Sequence, residues 1–119
     1  MMQLVKKQVR PGVVVVEVLD SIRMGPNCQA LEKQIDEAIQ QNEPWVIFDL
    51  SRVTYVDSSG VGTIVRILGR LKKAGGTLRL AGVKGMVEGV LKLTQVVRII
   101  DCYPTAADAS KDLPPVPSP

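Results

Sequence analysis

The chain has 119 residues, a formal net charge of +3, and a composition that is 45% hydrophobic but only 3% aromatic. That suffices for one domain of ordinary size with an aliphatic core of Val, Ile, Leu and Ala. The chain has no histidine, which removes Ser-His-Asp and Cys-His machinery and any His-ligated metal; the scattered lysines and arginines lack interleaved aromatics for base stacking, which argues against nucleic-acid binding.

The opening stretch "MMQLVKKQVR" carries basic residues with no apolar region behind them, so no signal peptide is expected. Apolar runs such as Val13–Val16 are far too short to cross a bilayer. A soluble, cytoplasmic protein without membrane insertion is the expectation.

"QLVKKQVR" reads as an edge strand, Pro11–Gly12 as a turn, and the β-branched run Val13–Asp20 as a buried strand. Together they predict an antiparallel hairpin over Leu4–Asp20, whose free edge at Leu4–Val9 could pair two copies into a weak homodimer. After the connection "SIRMGPNC", Pro26 suits a first helical turn. From Asn27 to Gln41, Ala30, Leu31, Ile35, Ala38 and Ile39 fall at helical spacing, with Glu32, Lys33, Asp36 and Glu37 outward.

Asn42–Pro44 ends that helix, and "WVIFDL" at Trp45–Leu50 is a second buried strand. "SRVTYVDSS" leads into a helix over Ser58–Ala74, stopped by "AGG" with glycine as left-handed cap. "TLRLAG" is a strand, "VKGMVEGVLKLTQ" a weaker helix, and "VVRIID" a last short strand. "TAADASKDL" predicts a final helix capped by Thr105, and Pro114–Pro119 a stiff, disordered tail. Cys28 and Cys102 fit no metal spacing and read as reduced, part-buried thiols. The order β-β-α-β-α-β-α-β-α needs crossover connections. The predicted class is α/β: a single domain with a mixed, mainly parallel sheet, an N-terminal antiparallel strand, and helices packed on the sheet.

The stretch "DSSGVG" at Asp57–Gly62 carries the functional question. Asp57 or Ser58 can cap a helix N-terminus, where free N–H groups need acceptors. A cap leaves unexplained two glycines early in a helix, each costing up to about 1 kcal/mol relative to alanine. A dinucleotide loop would need glycine at Val65, the P-loop signature is absent, and a nucleophile elbow needs Gly-x-Ser-x-Gly and a histidine. A phosphorylatable serine remains. With Ser58 as the zero of angle, the predicted core stripe is Val61, Ile64, Val65, Leu68 and Leu71. The opposite side then carries Gly62, Arg66, Gly69, Arg70 and Lys73, where small residues let a second backbone approach. A phosphate at the helix start suits the helix dipole, so it would act on a partner rather than on the fold.

"VIFDLSRVTYVDSSGVGTIVRILGRLKKAGGTLRLAGV" resembles the core of a STAS domain of the bacterial anti-sigma factor antagonist type. The resemblance spans roughly Val46–Asp101, and more loosely the whole chain. It implies one STAS-type domain over residues 1–113, no enzymatic activity and no cofactor. It implies partner switching: the unmodified chain binds an anti-sigma factor that is also a serine kinase, the kinase phosphorylates Ser58 (Ser59 being the second candidate), and a PP2C-type phosphatase reverses it. Asp57, Ser59, Gly60 and Gly62 would shape the phosphosite; Ser58, Gly62, Arg66 and Gly69 would meet the partner. One departure stands out. Where the family often has an acidic Gly-Glu-Leu-Asp stretch after the second strand, this chain has "SIRM" at Ser21–Met24. That raises an alternative, a STAS subunit or scaffold of a stressosome-like or lipid-transport complex. A small ligand-binding module is a further alternative that the strand–helix alternation permits.

Overall fold

A computed structural model describes residues 3–113. The expected tail at 114–119 lies outside the described residues. Two strands, β1 (Leu4–Arg10) and β2 (Val13–Val18), form the antiparallel hairpin, with a register irregularity between Gln8 and Arg10. Strands β3 (Trp45–Asp49), β4 (Thr77–Ala81) and β5 (Cys102–Tyr103) extend the sheet in parallel, in the order β1-β2-β3-β4-β5. The predicted class therefore holds, and β1 is an edge.

Strand alternation explains the layers, because successive side chains point to opposite faces. Val14 and Val16 on β2, Val46 and Phe48 on β3, and Leu78 and Leu80 on β4 share one face. Helices α1 (Pro26–Gln40), α2 (Ser58–Lys73) and α3 (Gly85–Leu93) bury Leu31, Ile35, Ile64, Leu71, Val87 and Leu91 against it. Val13, Val15, Ile47 and Ala81 face the other way, under Ala109 and Leu113 of the C-terminal segment. That segment begins with the short helix α4 (Ala106–Ser110), whose Thr105 hydroxyl accepts from the Asp108 N–H as expected of an N-cap. Arg10 donates to the Ser110 and Leu113 carbonyls, and Arg79 to the Ala109 carbonyl, so two arginines fasten the segment to the sheet.

Three expectations need correction. "VVRIID" is not a strand: Val96–Arg98 is a 3-10 turn and the strand comes later, at Cys102–Tyr103. Gln95 adopts a left-handed φ of 65° that ends α3, and only Val96 and Ile100 are then buried. Strand alternation would bury Arg98 between them as well; Arg98 is exposed, so the four-residue spacing here is one helical turn. Second, Val65 lies outside the α2 core stripe, being 36% exposed, while Ile67 and Thr63 are fully buried. At 100° per residue Val65 falls close to Ser58 on the outer face, so its apolar character misleads. Third, Cys102 is exposed while Cys28 is buried, and both are free. The Cys102 residue is exposed as a whole but its sulfur is partly desolvated, and this, followed by the charges of Asp101 and Glu88, raises the thiol above its ordinary value.

Candidate functional site

The site forms where the segments after β2 and β3 meet. Ile22 and Val56 make an isolated parallel bridge. The Ile22 N–H donates to the Tyr55 carbonyl at 3.1 Å, and the Asp57 N–H donates to the Ile22 carbonyl at 3.2 Å. This ties "SIRM" to the DSSG stretch and sets the entry angle of α2.

Asp57 is the N-cap of α2, in extended backbone. Its Oδ1 accepts from the Gly60 N–H at 2.7 Å, and its Oδ2 accepts from the Met24 N–H at 3.0 Å. One carboxylate thus satisfies a free donor of the helix and clamps the opposite loop. These bonds hold its pKa below the ordinary aspartate value, that from Met24 foremost, then that from Gly60. The stability it contributes is therefore present above the ordinary value and lost as pH falls through the lowered one. Asp57→Ala is expected to lose about 1–2 kcal/mol at neutral pH. In urea melts its gap from the wild type should close as the pH falls below the ordinary aspartate range.

Ser58 is the first residue of α2 and is exposed; Ser59 is half-buried. Gly60 is buried where the two loops cross: a Cβ there would lie 2.4 Å from the Ile22 carbonyl oxygen and 2.8 Å from Val56 Cγ2. Gly62 differs, since its added Cβ would meet only Arg66 Nη1, at 3.5 Å, and one at Gly69 would meet nothing. Ser58, Gly62, Val65 and Gly69 follow one another at helical spacing along the outer ridge of α2.

The structure brings Asp57, Ser58, Ser59 and Gly60 together at one helix start. It sets Gly62, Arg66 and Gly69 one to three turns along. Arg66 is not a free surface charge: its Nε donates to Glu32 Oε1 at 3.2 Å and its Nη2 to Thr63 Oγ1 at 3.0 Å. Arg70 likewise pairs with Asp36. A groove of about 350 Å³ runs between the starts of α1 and α2, lined by Met24, Cys28, Glu32, Ser59, Thr63 and Arg66. Sequence reasoning missed the Met24 backbone contact and Arg23, which stacks over Tyr55 at 4.4 Å. The departure at "SIRM" was the signal that pointed there. Among the described residues, no group of three or more His, Cys, Asp or Glu could hold a metal ion, and no helix is long and apolar enough to cross a membrane.

The fold and this site define a small five-stranded α/β domain that presents a serine at the start of an exposed helix. The chain belongs to the STAS domain family, whose model matches residues 5–109. A Thermotoga maritima protein assigned as an anti-sigma factor antagonist is 33% identical over 78 residues, which cover 66% of this chain and 69% of the relative. The crystal structure of a T. maritima protein with the same assignment superposes with a TM-score of 0.83 at 27% identity, covering 92% of this chain and 93% of that one. The Bacillus cell fate determinant SpoIIAA in its phosphorylated form has a TM-score of 0.68 at 21% identity, covering 92% of this chain and 96% of that one. At that identity the likeness is one of fold.

Proposed function

We propose that this chain is an anti-sigma factor antagonist that works in the cytoplasm by partner switching. Unmodified, it binds an anti-sigma factor that is also a serine kinase, through the outer ridge of α2. The kinase moves the γ-phosphoryl group of ATP to Ser58 Oγ; ADP leaves, and the hydroxyl proton passes to a base of the kinase. The chain is then released, and a PP2C-type phosphatase restores it by hydrolysis.

The observation that carries this reading is the placement of Ser58. Its hydroxyl belongs to an exposed first helical residue, while the neighbouring Asp57 does the capping. Modification therefore removes no cap. A phosphate adds about 1.5 to 2 negative charges at neutral pH, at a helix end that tolerates them. The fold has no reason to respond, whereas a partner packed along Gly62 and Gly69 meets a bulky, hydrated dianion. Two supports are independent of this placement: the family membership and the assignment of the Thermotoga relative.

The test is phosphate mapping by mass spectrometry after incubation with a cognate anti-sigma factor kinase and ATP. Phosphate on Ser58, lost in Ser58→Ala and kept in Ser59→Ala, is the expected result. An unmodified chain that binds the kinase no better than Ser58→Asp does would sink the proposal.

A further inference from the structure

Arg23 is the one feature at this site that the cap, the glycines and the core do not account for. Its residue is exposed, and its guanidinium lies 4.4 Å from the centre of the Tyr55 ring. Among the described residues it makes no ion pair and no side-chain hydrogen bond. Its backbone is nevertheless held, because Ile22 before it bridges to Val56 and the Met24 N–H after it is bonded to Asp57 Oδ2. Arg23 therefore sits across from Asp57, the immediate neighbour of Ser58, and its charge is felt at the Asp57 carboxylate.

We propose that Arg23 is a phosphate-binding residue: when Ser58 is phosphorylated, its guanidinium leaves the Tyr55 ring and pairs with the phosphate. The inference rests on the reading of Ser58 as the modified serine. The chemistry favours the exchange. A guanidinium offers a planar fork of donors that matches two phosphate oxygens at once. Stacking on the half-buried Tyr55 ring holds a cation more weakly than such a charge-assisted pair does. The competing guanidinium nearby, Arg66, is already committed to Glu32 and Thr63. Tyr55 thus parks the arginine in the unmodified state, and the phosphate recruits it. One arginine offsets only part of a phosphate's charge of about 1.5 to 2 negative units, so a partner still meets a net negative charge as well as the bulk of the pair.

The test needs no kinase, so its outcome is separate from that of the partner-switching reading. Phosphoserine is incorporated during translation at position 58, and the full chain is compared with its unmodified form in the wild-type and Arg23→Gln backgrounds. In the wild type, phosphorylation should move the Arg23 side-chain NMR signals away from their ring-shifted positions. It should also leave the Tm at low salt higher, by about 3 °C, than phosphorylation leaves that of Arg23→Gln. Added salt should shrink that difference. Arg52→Gln, an exposed arginine on the loop after β3, should respond to phosphorylation as the wild type does. An Arg23 that stays on Tyr55 in the phosphoprotein, or identical phosphorylation shifts in the wild type and Arg23→Gln, would overturn the assignment.

Discussion

Gly60→Ala is expected to destabilise the domain by about 2–3 kcal/mol, despite the gain in helix propensity that alanine brings. The added Cβ would lie 2.4 Å from the Ile22 carbonyl oxygen and 2.8 Å from both Ile22 Cγ2 and Val56 Cγ2. The oxygen is backbone and accepts from the Asp57 N–H, so it cannot swing aside as a side-chain tip would. Relief requires α2 to lift or the Ile22–Val56 bridge to open, and either change loosens the loop that carries Met24. Gly62→Ala is the matched control. Its Cβ would meet only the end of Arg66, at 3.5 Å, so it should raise stability by up to about 1 kcal/mol. Urea melts of the two variants separate a glycine required by close approach from one that the fold does not need. Equal effects would show that the loop crossing does not set the geometry of the site.

The second large effect concerns binding. Ser58→Asp should weaken association with the kinase by about 100-fold or more, because an unpaired charge in a close-packed interface costs several kcal/mol. The variant should melt like the wild type, since Ser58 is exposed and an acid at the first helical residue suits the dipole. Gly69→Trp should also impair binding while sparing the fold, because open space surrounds Gly69 in the free chain. Titration calorimetry beside thermal melts checks both. A loss of binding that tracks a loss of stability would move the explanation from the interface to the fold.

The strands and helices that were legible are those with one strong local signal. Val13–Val16, Trp45–Asp49 and the helical spacing of Leu31, Ile35 and Ala38 each declare an element from their own residues. "VVRIID" misleads because its β-branched residues fit a short strand as well as a single turn, and the left-handed Gln95 that settles it has no sequence mark. Val65 misleads for a related reason: its apolar character points to the core while its angle on the helix points outward. At the site, the cap at Asp57 could be anticipated, because helix starts need acceptors. Its second bond, to Met24, could not, because it joins loops 33 residues apart. Gly60 and Gly62 look alike in sequence, and only the crossing of the two loops distinguishes them.

The central claim is that one residue's charge decides binding while the fold stays as it is. It is tested most directly by measuring the affinity of the kinase for two preparations of this chain, one unmodified and one with phosphoserine at position 58, with amide NMR spectra of both. The account predicts affinities differing by about 100-fold or more, with spectral changes confined to the start of α2 and the Ser21–Met24 loop. Equal affinities, or a difference accompanied by shifts spread through the sheet, would contradict it.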